Sequence, residues 1–488
     1  MNNRVHLLVL RLCFPNGLAP GAGGAFNYLR LARNGRDEPV LRGTSLAGVL
    51  RNAYSRAIGK KSNDPEVSRF FGDSLDEKKE HPSAVRIPDC ILNMGQAQPN
   101  VRTHHLRNRH TKAVADGGLF SLESCPPGTT AEACVWILEP SDTTPDDSES
   151  VPQFAKTLVS LLSDGLTVGG NSARGIGKVE LGDGTAFRSF QLDDLNQHAA
   201  YLDAERLIRL SRVAEIDGLE SLSPAGTGAK ILNIEMDFQI PRGQDLLVAD
   251  GQGLGHQLEP QRLQHADGKA YWRIPGSTFR GLFRSWMTKL AAKEGLPVAD
   301  SFARNENYRD VISRDPSASK NSSDAITGEN LGRCFLPKEE WADVSNSPRE
   351  KIECPIASLF GSLFASGRIF FSDALSLKDS NKSYIEQTRM HVAVDRITGG
   401  AAESMLFDNA VLVAEQPELA ESFKLTIRVE NPSEAEVRWL RKTIIALDLG
   451  LLRIGSSKSA GRIELRSTPQ ATGPLSESLN GLAPHHKN

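Results

Sequence analysis

Residues 90–115 contain no acidic side chain, and within them Arg102, Arg107, Arg109 and Lys112 stand among His104, His105 and His110. Guanidinium and ammonium groups at that density bond phosphate oxygens and imidazole rings stack on bases, which is the chemistry of a hairpin that grips nucleic acid. A solvated charged hairpin has the same composition. A metal site at His104 and His105 is disfavoured, because adjacent side chains on a strand point to opposite faces. Two glycine-rich segments offer a second kind of chemistry. Gly169, Gly170, Gly175 and Gly177 surround Arg174, while Gly455 and Gly461 bracket Ser456, Ser457 and Lys458. Lacking Cβ atoms, such loops let backbone N–H groups converge on phosphate oxygens, with Arg174 or Lys458 adding charge; a glycine turn leading into a strand is also an ordinary turn. Neither segment has the spacing of a nucleotide-binding fingerprint. Helices opening at Gly43 and Gly276 would present unpaired N–H groups and partial positive charge, a third place for a phosphate.

What must position these residues is a unit that occurs twice. GTSLAGVLRNAYSRA (43–57) matches GSTFRGLFRSWMTKL (276–290) at a constant offset of 233, pairing Gly43 with Gly276, Gly48 with Gly281 and Arg51 with Arg284. Leu46, Val49, Leu50, Ala53 and Tyr54 recur at helical spacing, as do Phe279, Leu282, Phe283, Trp286 and Met287, which predicts an amphipathic helix in each copy. Thr44 or Ser45, and Ser277 or Thr278, are the expected N-caps. RTHHLRNRHTKAVADGGLF (102–120) matches RMHVAVDRITGGAAESMLF (389–407) at offset 287, keeping Arg102 with Arg389, His104 with His391 and Arg109 with Arg396. A helix, glycine-rich loop and strand at 164–181 recurs at 448–465, and Asp89 echoes Asp373.

The growing offset implies an insertion of about 56 residues in the second copy, near 295–350, whose composition is polar and turn-rich. The copies are expected at 1–181 and 230–466, with a linker at 182–229 and a disordered tail at 467–488. Each reads as strand, loop, helix, hairpin, helix, glycine-rich loop, strand. That order implies an α+β fold, two tandem ferredoxin-like or modified RRM-like domains with helices on one face of an antiparallel sheet. A length of 488 residues with 39% hydrophobic and 24% charged residues excludes a single small module, a disordered chain and a fibre. A net charge of -3 argues against a surface coated in nucleic acid but permits a local basic groove. Six cysteines without a CxxC pair argue against a disulfide framework or a Cys-rich zinc site. No apolar stretch approaches the ~18 residues of a membrane span, and residues 1–14 read as a strand, so a cytoplasmic protein with no membrane partner is expected.

Taken together, GTSLAGVLR, IPGSTFRGLFR, LFGS, VDRITGGAAESMLF and the terminal glycine-rich loop resemble the RAMP superfamily, specifically tandem backbone subunits of type III CRISPR effector complexes, over about 5–181 and 231–466. The resemblance implies guide RNA (crRNA) and complementary target RNA as ligands, and other type III effector subunits as partners in an antiviral ribonucleoprotein. Base pairing then reads sequence while the protein holds the backbone. It also implies that the hairpins enter the guide–target duplex, which assigns RNA contacts to Arg102, His104, Arg107, Arg109, Lys112, Arg389, His391 and Arg396. The helix starts and glycine-rich loops would line the guide channel. That adds Gly43, Ser45, Arg51, Gly276, Thr278 and Arg284, and from the loops Gly170, Arg174, Gly175, Gly177, Gly455, Ser457, Lys458 and Gly461.

Similar subunits cut target RNA with an aspartate ahead of the first helix and a divalent metal. Counting back 16 residues from the helix glycine reaches Asn27 in the first copy, which cannot be an anionic ligand, and Pro260 in the second, adjacent to Glu259. Glu259 is therefore the candidate metal ligand and catalytic carboxylate, followed by Asp267 and then Asp250 and Asp37, with an ion such as Mg2+ as the cofactor of any cleavage. Two other readings stay open: a metal-independent guide-processing endoribonuclease of the same superfamily using His104, His105 or His110, and a two-domain protein with no RNA role.

Overall fold

The computed structural model describes residues 4–21, 28–72, 82–107, 114–139, 150–170, 175–224, 230–249, 258–296, 298, 354–361, 367–378, 384–395, 397–398, 400–417, 420–455 and 460–484. The inserted stretch expected at 295–350 lies almost wholly outside these residues.

In the first unit the order is β1 (Arg4–Phe14), α1 (Gly43–Ala57), α2 (Pro65–Phe71), β2 (Cys90–Asn93), β3 (Asn100–Arg107), β4 (Val114–Ser124), β5 (Thr129–Leu138), α3 (Val151–Ser163), β6 (Ala186–Gln191) and α4 (Leu195–Arg209). Strand β1 lies at the centre of an antiparallel sheet between β5 and β6, with β2 beyond β5. Every residue from Val5 to Leu10 is buried, which a strand achieves only when both faces of its sheet are covered. On one face Leu8, Leu10, Leu12 and Phe14 pack with Leu46, Leu50 and Tyr54 of α1 and Phe154 and Leu158 of α3. On the other, Val5, Leu7 and Val9 join Trp136 and Phe190 beneath Ala204 and Leu207 of α4. The stretch 182–229, expected as a linker, therefore supplies a strand and the covering helix of the first unit. The reason is physical: without α4 the apolar back of β1 would face water, at ~25 cal/mol per Å².

The second unit repeats the plan with β7 (Ile231–Gln239), β8 (Arg262–Gln264), β9 (Ala270–Ile274), α5 (Gly276–Lys293), α6 (Pro355–Phe360), β10 (Ile369–Phe371), β11 (Ala374–Leu377), β12 (Ile385–Val394), β13 (Ala401–Val413), β14 (Phe423–Glu430) and α7 (Glu434–Asp448). Its sheet runs β8-β9-β11-β14-β7. Here the strand beside the helices alternates. Leu232, Ile234, Met236 and Phe238 enter the core with Phe279 and Phe283 of α5 and Trp439 and Leu440 of α7, whereas Asn233, Glu235 and Asp237 are at least partly exposed. The tail expected to be disordered from 467 is ordered to 484. Gln470–Thr472 pairs with β7, and a short helix α8 (Glu477–Asn480) brings Leu479 and Leu482 into the same core. Two buried leucines contribute ~1.5–3 kcal/mol each, enough to anchor such a segment.

Each unit also projects a hairpin, β3–β4 and β12–β13, and the registers are equivalent. His104 lies opposite Phe120 as His391 lies opposite Phe407, and both ladders shift at the same step, after His105 and after Val392. The chain is thus α+β, two tandem ferredoxin-like units.

Candidate nucleic-acid interface

The starts of α1 and α5 are built alike. Neither receives a side-chain bond from its N-cap residue, Arg42 or Pro275, and the caps expected from Thr44, Ser45, Ser277 or Thr278 do not form. Instead a carboxylate from a distant strand end accepts the first helical N–H: Asp89 from Gly43 and Asp373 from Gly276, each at 2.9 Å. Glycine is required at both places, since a Cβ would come within 1.8 Å of the Ile87 carbonyl oxygen or 2.5 Å of that of Phe371. Gly43 and Gly276 therefore seat a helix against backbone, and their N–H groups are already taken rather than offered to a phosphate. Arg51 likewise turns inward on its own unit, donating to the Ser62 carbonyl at 3.1 and 2.8 Å. Ser45 is exposed, while Thr278 and Arg284 are half-buried.

The two aspartates then part company. Asp89 pairs loosely with Arg42 at 3.4 Å and its side chain is 44% exposed. Asp373 is fully buried between Arg273 of its own unit, at 2.8 Å, and Arg102 of the first unit, at 2.5 Å. Arg102 also donates to Ser124 Oγ at 2.8 Å and to the Asn16 carbonyl at 3.3 Å. Burial alone would raise the Asp373 carboxyl. The two guanidinium groups and the Gly276 N–H outweigh that and hold it below its ordinary value. Burial pulls Arg102 down to about 10, which leaves it charged at neutral pH. Arg102 is therefore not an RNA contact: it is the clamp between the two units. His104 is also withdrawn from the surface, at 7% exposure, with its ring stacked on Phe120 at 5.3 Å. In the second hairpin Arg389 is held by Asp245 at 3.0 and 3.1 Å, and His391 is half-buried. Arg109, Lys112 and Arg396 lie outside the described residues, as does the side chain of Arg107.

Most of the recurrent loop glycines serve backbone crossings. The Gly177 N–H donates to Gly17 O and that of Gly461 to Asp245 O. Both residues have positive φ, and a Cβ would stand 2.1 Å from the Val168 carbonyl oxygen or 2.0 Å from that of Ile454. Gly455 presses on the Leu247 carbonyl, and Gly175 on that of Phe371 in the other unit. Gly170 is different: it is exposed and, with Gly169, Pro20, Gly21, Arg42 and Ser45, lines an open cleft of about 280 Å³ beside the start of α1. Arg174, Ser457 and Lys458 lie outside the described residues. Gly48 and Gly281 form the remaining recurrent pair. Both are exposed inside a helix with nothing within 4 Å of the position a Cβ would take, so no described residue requires them.

Neither candidate carboxylate belongs to a metal-binding set. Glu259 is partly exposed and pairs with Arg262 at 2.6 Å. Asp267 caps the β8–β9 turn, accepting from the Lys269 N–H at 2.9 Å and the Tyr271 hydroxyl at 3.2 Å beside His265. Burial pushes that carboxyl up, but these donors outweigh it and hold it low. Asp37 sits in the turn between Asn34 and Glu38, and Asp250 and Asn27 lie outside the described residues. Among the described residues no three His, Cys, Asp or Glu side chains converge on one point, and Mg2+ commonly takes only one or two carboxylates together with substrate phosphates.

The surface that remains is a cleft of backbone, hydroxyl and guanidinium groups next to a projecting hairpin, in a unit that recurs. The family model of the RAMP superfamily matches residues 16–180 and 219–463. The chain belongs to the RAMP superfamily. RAMP proteins are RNA-binding components of CRISPR–Cas ribonucleoproteins, and the two matched regions coincide with the two units of this chain. No curated protein matches it. No described helix of this RAMP protein is long and apolar enough to cross a membrane. Sequence reasoning noticed Asp89 and Asp373 as an echo but gave them no role; their recurrence was the available signal. Arg273 had none, because the first copy carries Val40 at the matching step.

Proposed function

We propose that the chain is a guide-RNA-binding backbone subunit of a type III CRISPR antiviral ribonucleoprotein, holding guide and target RNA in register for base pairing rather than reading their sequence. The observation that carries this is the pair Gly48 and Gly281. A glycine inside an exposed helix sacrifices ~1 kcal/mol relative to alanine. Two equivalent helices do so at the same step with no neighbour among the described residues to require it, which supports a close approach from outside by a polymer that meets both units. Gly48 lies one turn after Ser45, on the helix that borders the first unit's open cleft, where the Ser45 hydroxyl and the Arg42 guanidinium suit a ribose-phosphate strand.

Titration of nuclease-treated chain with single-stranded RNA at several salt concentrations tests the reading. A slope of log affinity on log salt near -0.7 per phosphate contacted is expected, and Gly48→Ala is expected to weaken binding while raising the melting temperature. A flat salt dependence, or undiminished affinity in Gly48→Ala, would favour a two-domain protein with no RNA role. Sequencing of small RNA that copurifies from native cells checks the guide assignment, repeat-and-spacer RNA of uniform length being the expected result. The burial of His104 counts against that residue as a processing base, while the side chain of His105 and the whole of His110 lie outside the described residues; unchanged precursor RNA after incubation is expected. The pairing of Glu259 counts against target cleavage through it. A Mg2+-dependent cut that Glu259→Ala abolishes would restore it to that role.

A further inference from the structure

The joint between the units has a second polar stretch besides the Arg102–Asp373 clamp. Between the first unit and the face of the second unit's sheet turned away from its helices lies a cavity of about 20 Å³, partly open to solvent. Asn16, Thr167 and Lys178 line it from the first unit, Ser372, Thr426 and Arg428 from the second. That is room for a single water-sized occupant. Arg428, on β14, is 5% exposed, and its Nε is buried with nothing among the described residues to accept from it. It stands beside Gly165 of the first unit, which has no side chain to offer; a Cβ there would lie 3.6 Å from that nitrogen. The side chains of Asn16, Thr167 and Thr426 likewise make no hydrogen bond among the described residues.

Orphaned donors around a cavity ask for an acceptor, and the charges at the seam decide its kind. Two carboxylates there are each shared by two arginines: Asp373 by Arg102 and Arg273, and Glu430 by Arg428 at 3.2 Å and, across the joint, by Arg56 at 3.6 Å. Asp164 also draws on Arg428, and Lys178 is matched by Glu180 at 2.7 Å, so among these groups one positive charge is left over. Burial pulls the Arg428 guanidinium below its ordinary value despite both neighbouring carboxylates, as in a cation short of counter-charge. Water would satisfy the donors and leave the charge; an ion with one negative charge satisfies both. A multiply charged oxyanion would be repelled by Glu430 and Asp164 at the same guanidinium.

We propose that this cavity is a halide site, taking one chloride ion between Arg428 of the second unit and Asn16 and Thr167 of the first, and that the ion fastens the two units together. An ion bound only when the units are apposed stabilises the closed joint by mass action. The site does not depend on the chain being an RNA-binding subunit.

The test is urea unfolding of nuclease-treated, full-length chain at fixed ionic strength, with chloride replaced stepwise by gluconate, an anion too bulky for the cavity. Above half-saturation the apparent constant for opening the joint should fall about tenfold for each tenfold rise in chloride. Arg428→Met should lose that dependence. If that variant unfolds too readily, Thr426→Val, which breaks no ion pair, should move half-saturation to at least about tenfold higher chloride, as loss of one hydrogen bond to a charged group does. Crystals grown with bromide in place of chloride should show an anomalous peak within hydrogen-bond distance of Arg428 Nε. Stability indifferent to chloride overturns the proposal, as does a missing peak or a peak without effect on stability, which is an adventitious ion only. Displacement of the bromide by single-stranded RNA overturns it too, since the seam would then be a phosphate contact.

Discussion

The helix starts of the two units share one design, a glycine pressed on backbone with a strand-end aspartate on its N–H, yet one is half-open and the other sealed. What differs is the neighbour. At α5 the first unit supplies Arg102 and excludes water, whereas at α1 no described residue beyond Arg42 pairs with Asp89. The same carboxylate is therefore a surface cap in one copy and a buried charge in the other, and the two should respond differently to the same change.

The largest effect is expected where burial leaves a charge stranded. Arg102→Ala should lower stability to urea by ~3–5 kcal/mol, because Asp373 then lies buried with one arginine fewer. Asp89→Ala should lose about 1 kcal/mol, the worth of a cap. Equal losses in the two variants would erase the distinction drawn here. Next in size, Gly43→Ala and Gly276→Ala should each cost ~1–3 kcal/mol through overpacking, so they should behave alike where the aspartates do not. Alanine at Gly281 should instead stabilise the chain by up to ~1 kcal/mol, measured by thermal melting.

A pH series sharpens the contrast. A carboxyl held below its unfolded value of ~3.9 contributes stability above that value and loses it as pH falls through the native one. The gap between wild type and Asp373→Ala should therefore narrow in melts taken below about pH 4. Smallest of all, Glu259→Ala should shift stability by less than ~1 kcal/mol, as loss of an exposed pair does.

The duplication and the α+β class were legible because they rest on local spacing: the apolar steps of α1 and α5, and a hairpin register that keeps His104 opposite Phe120 and His391 opposite Phe407. The fate of Arg102 was not legible. Its partner Asp373 is 271 residues away, and the resemblance assigned Arg102 and its counterpart Arg389 alike to RNA, though Arg389 alone stays at the surface. Residues 1–14 read as a strand, but His6 interrupts the apolar run, so the covering of both its faces was not legible. A helical stretch near 202–216 was legible, but its place over the first unit's sheet was not, since α4 leaves Leu195 86% and Leu202 57% exposed and so reads as a connector. Loop glycines misled for a different reason: a close backbone crossing and a phosphate cradle ask the same thing of a residue, the absence of a Cβ.

The separation between Arg102 and Asp373 also sets a timetable for biosynthesis. At ~5–20 residues per second the ribosome needs ~15–55 s to add the 271 residues between them. Through that interval the first unit can complete its own core, since no strand of its main sheet comes from the second, while its clamping arginine waits in water. Closure of the joint is then the last step of a nascent chain, and a ribosome that stops before residue 373 releases a folded first half with an unmatched cation at the seam.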